Sequence, residues 1–325
     1  MSSKSQIVLL IPMDTSERIS STFQYVIEGV IRQPGTWILL SILGIGNFLI
    51  DVGQKSLVHK YFHGLQLGDP VSLPQSIYPY SLYVVIILIA VGVLLMILQS
   101  GYVARIYRGI SPAPPVRDMK TLFRDGFILS VIGLGYSVIP VLIGVLTVLL
   151  PLQQKIEDFR QISSTSQPLV ISPELLQTIG IVIGGFVLSM LLYIILCTIS
   201  FIGLIRFCRT GSVRSAFEIS ALLAKIGDIG WVRYLLSLLL LLFLTALFSG
   251  GIYLITLVFV IFGIIAEAII PGINVIMTVI RILVCVFLDV LIVVFNARYL
   301  SLLYDAGTES VQEPAISSEA QEFRS

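Results

Sequence analysis

Long apolar runs alternate along this chain with shorter stretches that mix polar and apolar residues at helical spacing. A helix crossing the ~30 Å hydrocarbon core needs about 20 predominantly apolar residues. Six runs reach or approach that length: Thr36 to Ile50, Tyr80 to Tyr107, Phe127 to Leu152, Leu175 to Phe207, Trp231 to Ile265 and Ile273 to Leu303. The first is short and is expected to extend on its polar side. The fifth holds Ser249-Gly250-Gly251 near its middle, where glycine permits a kink or a tight reversal. A reversal would give seven spans, break the repeat described next and move Arg298 to the other side, so six are expected. Several runs exceed what the bilayer needs, which implies tilt or projection beyond it.

One pattern occurs three times. Each copy has an amphipathic stretch, an apolar run, a short loop and a second apolar run ending in arginine and a small-residue stop. The endings read Ala104-Arg105-Ile106-Tyr107-Arg108-Gly109, Ile205-Arg206-Phe207-Cys208-Arg209-Thr210-Gly211, and Ala297-Arg298-Tyr299 running on to Gly307. They recur at roughly 100 residues, the mark of an internal repeat. The amphipathic stretches are Ile19 to Gln33, Met119 to Asp125 and Ala216 to Gly230. In the third, Ala216, Phe217, Ile219, Leu222, Leu223 and Ile226 fall mostly on one arc at ~100° per residue, with Glu218, Lys225 and Asp228 nearer the other. Ser215 is placed to cap its start. Phe23, Val26, Ile27, Val30 and Ile31 give the first the same stripe. Such a helix beside a span commonly lies in the membrane interface. There it docks lipid or a partner, or simply sets the angle of the next span.

The predicted fold is therefore an all-α integral membrane protein: six transmembrane helices as three parallel repeats of an amphipathic elbow plus a two-span hairpin. The units are residues 16–110, 111–211 and 212–304, between an N-terminal segment 1–15 and a tail 305–325. Two spans return each copy to the same side, which distinguishes the plan from inverted-repeat transporters. Ser111-Pro112-Ala113-Pro114-Pro115 reads as a stiff linker between units. The tail, with its Ser, Glu, Gln and Gly, is expected to be disordered. Ile7 to Pro12 is too short for the apolar core of a signal peptide, so the N-terminal segment is expected to be retained.

Composition agrees. Hydrophobic residues make up 56% of the chain and charged ones 12%, with mean hydropathy +0.99. A soluble domain carries roughly 25% charged residues, so lipid is the solvent for much of this surface. The net charge of +1 lacks the basic excess of a nucleic-acid binder. Of the 20 lysines and arginines, the outside segments take only Lys55, Lys60, Lys155 and Arg160, and Arg281 lies within the sixth span. Every other one falls on the inside, which places both termini in the cytoplasm of a multi-pass cell-membrane protein.

The Gly101-Tyr102-Val103-Ala104-Arg105 end of the second span, the Pro114 to Gly126 connector and the Asn296-Ala297-Arg298-Tyr299 ending resemble DUF4013, an archaeal family of multi-pass membrane proteins of unknown function. The resemblance covers roughly Ser16 to Gly307. It implies a six-span membrane protein and brings no reaction and no catalytic residues.

Asp289 is the sharpest candidate for chemistry. It stands alone in Cys285-Val286-Phe287-Leu288-Asp289-Val290-Leu291-Ile292. Counting from Arg298 places it ~14 Å from the inner boundary at 1.5 Å per residue. An ionised carboxylate there costs at least ~2.5 kcal/mol, so it should face the bundle interior or be protonated. It is a proton or cation site, or a structural hydrogen-bonder to Ser237, Thr245 or Tyr193. Arg281 lies ~12 Å from it along the helix, too far for a simple ion pair, and Glu267 is expected to meet Arg281 at the outer end of the last hairpin. Asp289, Arg281 and Glu267 are the candidate ligand or proton residues. Asn47, beside Gly44 and Gly46, is expected to bond across a close helix contact, and Asp51 ends the same span. Gly180 and Gly184 make a G-x-x-x-G pair on the fourth span.

His59 and His63 are spaced i, i+4, which suits a metal, but two ligands are too few. Cys197, Cys208 and Cys285 sit in or beside apolar runs and read as packing residues. No nucleotide-binding glycine loop, G-x-S-x-G or H-E-x-x-H occurs, and neither a cofactor nor a metal is predicted. The favoured function is a non-enzymatic membrane component that organises lipids or partner proteins. Its partners would be the bilayer, other membrane proteins or further copies of itself, and not nucleic acid. The alternative is a transporter or channel for a small cation, proton or amphiphile using Asp289, which requires a water-accessible cavity reaching that residue. An enzyme acting on lipids is the weakest reading.

Overall fold

The computed structural model describes residues 15–63, 79–164 and 173–322, with side-chain environments for 15–53, 83–151, 173 and 176–306. Most of the N-terminal segment therefore lies outside the described residues. Among the described residues there are helices and no strands: α1 (Thr15–Arg32), α2 (Pro34–His63), α3 (Pro79–Tyr107), α4 (Met119–Ser164), α5 (Pro173–Thr210), α6 (Val213–Ala216), α7 (Ile219–Ile229), α8 (Trp231–Glu267) and α9 (Ile273–Glu322). Six carry segments long and apolar enough to cross a membrane: Pro34–Gly53, Tyr83–Tyr107, Met119–Pro151, Leu176–Thr210, Trp231–Glu267 and Ile273–Ala306. The chain is an all-α, multi-pass membrane protein. The short first span gains its length at Pro34, which opens α2 as proline readily does at a first helical position. Helix α8 runs unbroken through Ser249-Gly250-Gly251.

The elbows differ from one another. Helix α1 stops at Arg32 before α2 restarts at Pro34. Helix α7 stops at Ile229, and Gly230 turns the chain with φ 91°, a left-handed angle that glycine adopts without penalty. Met119–Asp125, by contrast, forms the opening turns of α4. The only residue there that could break the helix is Gly126, and it is used for packing, since a Cβ on it would overlap the Ile97 carbonyl of α3. The third elbow begins later than expected. Ala216 closes α6 and α7 starts at Ile219. The Ala216 carbonyl accepts a hydrogen bond from the Tyr136 hydroxyl, and the Phe217 ring stacks on Tyr136 at 5.2 Å. These contacts hold the backbone between the two helices. Ser215 does not cap α7; its hydroxyl donates to the Ser212 carbonyl at 2.6 Å. At the far end, α9 continues to Glu322, through the tail that composition marks as disordered. Its Ala, Glu and Gln are good helix formers, and extending a helix is far easier than starting one.

The residues form two compact units, 1–129 with 224–325, and 130–223. In the first, α2 crosses α3 backbone to backbone: a Cβ on Gly46 would lie 2.7 Å from the Gly92 carbonyl oxygen. Gly44 seats α2 on Val286 and Val290 of α9. Small residues at both contacts let helix axes approach, which is how spans associate in lipid. Gly101 of α3 packs on the Leu122 backbone at the start of α4. Trp37, Leu40, Tyr102, Ile106, Tyr234, Tyr299 and Leu303 are fully buried there. In the second unit, the Ser189 hydroxyl of α5 donates to the Pro140 carbonyl of α4 at 2.7 Å, and Gly185 packs on Thr147. The Gly180 and Gly184 pair meets no neighbour among the described residues, so the close contact falls to the adjacent glycine.

Arginines near the ends of α3, α5 and the apolar part of α9 contact residues of the stretches that the sequence marks as amphipathic. Arg108 pairs with the buried Asp125 at 2.5 Å, and Arg105 donates to the Pro115 and Arg117 carbonyls at 3.0 and 2.6 Å. Arg206 pairs with Glu218 at 2.8 Å. The Arg298 guanidinium stacks over the Tyr25 ring at 4.6 Å.

Candidate functional site

Three helices of the first unit each turn one face toward a shared cavity of about 510 Å³. Helix α2 contributes Gly44, Asn47, Phe48 and Asp51. Helix α8 contributes Ser249, Ile252, Tyr253 and Thr256, and α9 contributes Arg281, Ile282, Cys285, Val286 and Asp289. The spacing within each set is three or four residues, the repeat of a single helix face. The sequence forms these faces because isolated polar residues interrupt otherwise apolar runs at that interval. Phe48, Ile252, Ile282 and Val286 supply apolar wall between them.

Asp289 stands at the midpoint of the span Ile273–Ala306. The Asn47 amide donates a hydrogen bond to its carboxylate. One turn along α9, Cys285 shares a hydrogen bond with Thr256 at 3.2 Å. One further turn brings Arg281, near the α8–α9 end of the cavity. Arg281 makes no ion pair among the described residues. Asp51 lies one turn from Asn47 on the same face of α2.

Two of the three predicted site residues, Asp289 and Arg281, thus line one cavity. The third does not. The Glu267 carboxylate accepts from the backbone N–H groups of Gly272 and Asn274 at 2.8 and 2.9 Å. It ties the α8–α9 turn and caps the start of α9, where free N–H groups attract a carboxylate. Glu267 is thereby corrected from a partner of Arg281 to a turn residue. The partner of Asp289 is also corrected. Thr245 instead bonds Asn296 at 3.0 Å, and Asn47, expected to bond across a close helix contact but not to Asp289 in particular, takes the role. Its neighbours Gly44 and Gly46 do seat α2 closely, as the sequence implies. His59 and His63 belong to the last turns of α2, where side chains are not described.

Beyond Asp289, α9 closes. Phe295 meets Phe23 of α1 and Phe248 of α8 with ring centroids at 4.9 and 5.7 Å, and Tyr299 stacks beneath it at 6.4 Å. Past this aromatic plug lies a second, smaller cavity of about 220 Å³, lined by Ser21, Gln24, Tyr25, Glu28, Ser111 and Arg298 among others. Burial pushes the Tyr25 phenol up to about 12, partly offset by Arg298.

Chemically, the larger cavity offers one mid-span carboxylate with a neutral donor, a guanidinium two turns away and aliphatic walls between them. It holds no nucleophile–base pair and, among the described residues, no group of three metal-ligating side chains. It is a binding site in its chemistry, for a ligand with both charge and apolar surface.

Residues 84–257 match the family described as a protein of unknown function, DUF4013. No curated protein and no solved structure matches the chain.

Proposed function

The chain belongs to the DUF4013 family, and because membership carries no activity, we propose a function from the cavity itself: a membrane carrier or channel whose ligand presents a cationic group or proton to Asp289. The observation that carries this reading is that an open cavity reaches a carboxylate at the midpoint of a span. An ionisable group at that depth is costly and is usually retained for a ligand or a relay. A purely structural hydrogen-bonder would be served by an amide and would not need a cavity of about 510 Å³ beside it.

The lipid- or partner-organising reading has its own support. The apolar residues of α8 are largely exposed, Leu242, Phe243, Leu254 and Phe262 among them, and α1 shows Ile27 and Ile31 on its exposed face. Both functions fit a protein set in the cell membrane with its termini in the cytoplasm and built from three elbow-plus-hairpin units. The arginine contacts to Asp125, Glu218 and Tyr25 favour those three units, since each ties a span end to an elbow.

The test is a thermal shift of the purified full chain in detergent with n-butylammonium as the probe. Wild type should gain stability saturably. Asp289→Asn should melt within a few degrees of wild type and lose the gain. An equal gain in both proteins would remove Asp289 from the site and return the organiser reading to first place.

A further inference from the structure

We propose that the cavity recognises a zwitterion, with Asp289 taking its cationic end and Arg281 its anionic end; this rests on the ligand-handling role of Asp289 argued above. The key observation is that the two residues share one cavity, carry opposite charge, and form no ion pair with each other or with any other described residue. Unpaired charges removed from water are costly, and a partner of opposite sign offsets that cost. Within a single site, two unpaired charges of opposite sign are both matched at once only by a ligand bearing both.

Spacing sets the class further. The two Cα levels are ~12 Å apart along α9. Helix side chains lean toward the N-terminal end of their own helix, which for Arg281 is the direction away from Asp289. The ligand's charges must therefore be several ångströms apart, farther than the adjacent ammonium and carboxylate of an α-amino acid. Cys285 and Thr256 occupy the intervening turn, but they hydrogen-bond each other, so this stretch of wall presents little free polarity. Ile282, Val286 and Ile252 line the same stretch. An apolar linker between the two charges suits it. The same chemistry is found in a soluble ω-amino acid and in a zwitterionic lipid headgroup.

The experiment titrates the full chain with three matched series: ω-amino acids of increasing length, n-alkylammonium ions and n-alkylcarboxylates. Short-chain dihexanoylphosphatidylcholine forms a fourth arm. At one favoured length the ω-amino acid should bind about tenfold more tightly than the alkylammonium ion of that length. Arg281→Gln should abolish that preference, and should leave the alkylammonium affinity unchanged or improved, because a repelling cation is gone. Arg281→Lys should restore most of the preference, which separates charge recognition from a folding defect. If dihexanoylphosphatidylcholine shows the same Arg281 dependence and the ω-amino acids bind no better than the alkylammonium ions, the zwitterion is a lipid headgroup. If no zwitterion outbinds its matched cation, or if Arg281→Gln weakens both alike, the inference is overturned while the cation role of Asp289 stands. If alkylammonium ions also fail to bind, both fall.

Discussion

Helix α9 passes through two environments. From Ile273 to Asp289 it is mostly half-buried or exposed and carries the polar stripe Arg281, Cys285 and Asp289 along the cavity. From Val290 onward it is tightly packed: Val290, Val294, Phe295, Ala297, Tyr299, Leu300 and Leu303 are all buried. The same contrast holds for its neighbours. Phe48 and Tyr253 face the open half, whereas Trp37 and Tyr234 are sealed in the other. Packing and binding are thus separated along single helices. The sealed half fixes the helix positions, and the open half is then free to place isolated polar groups that would weaken a core. Such pre-positioning is what a binding site needs if its ligand is not to spend its interaction energy on ordering the protein.

The sharpest way to break this contrast is to disturb the sealed half where it is tightest. Gly101→Leu should abolish the folded protein, because even a Cβ there overlaps the Leu122 backbone and close-packed helices do not yield to overpacking without larger shifts. The readout is the monodisperse peak on size-exclusion chromatography. A variant that elutes and melts like wild type would show that α3 and α4 do not cross at this glycine. The next effect is smaller and compares the halves directly. Phe295→Ala, which empties the centre of the aromatic plug, should cost about 3–5 kcal/mol. Phe48→Ala, on the cavity wall, should cost well under half of that, because a side chain with open space on one side loses fewer contacts. Equal losses in melting temperature would erase the distinction.

A third effect belongs to the elbow. The Tyr25 phenol is raised to about 12 by burial, against Arg298, which lowers it. A raised folded value means that the neutral form is favoured on folding. The associated stability is present in full below the ordinary tyrosine value of ~10 and is lost as pH climbs from there through 12. The full loss would be on the order of 2–3 kcal/mol. Melting wild type and Tyr25→Phe across that alkaline window isolates it. The wild-type curve should fall more steeply, and parallel curves would show that Tyr25 is not buried in its neutral form.

Much of the fold was legible because the physics that sets it is local. Span length follows from apolar run length, so all six spans begin or end within a few residues of where the runs do. The first needed Pro34 to extend it. The elbows were legible as stripes, but their boundaries were not. Met119–Asp125 merges with α4 because Gly126 serves a neighbour, and α7 starts late because Tyr136 claims the Ala216 carbonyl; both causes lie far off in sequence. The site follows the same logic. Asp289 stood out because a lone carboxylate in an apolar run needs no partner to be noticed. Its bond to Asn47 joins residues far apart in the chain, and nothing in either local sequence says that α2 meets α9. Glu267 was assigned to the right end of the hairpin and the wrong partner. A carboxylate just before a Pro-Gly turn has backbone N–H groups within reach, and these win over a side chain two turns away.

The smallest expected effect returns to α8, whose two glycines divide the readings of this helix. Gly250 and Gly251 lie within continuous helix and meet no neighbouring atoms within contact distance. Neither is among the glycines with positive φ. In a helix interior, alanine is favoured over glycine by up to about 1 kcal/mol, and here no steric cost opposes it. Gly250→Ala and Gly251→Ala should therefore each raise the melting temperature slightly or leave it unchanged. Ser249, the residue before them, lines the cavity, so the same substitutions should leave n-butylammonium binding intact. A reversal at these glycines would instead demand backbone angles that alanine resists, and both variants would lose folded protein. Stable variants that lose ligand affinity would point to a third outcome: the glycines let α8 flex when the cavity fills, and the open half of the molecule moves in binding while the sealed half does not.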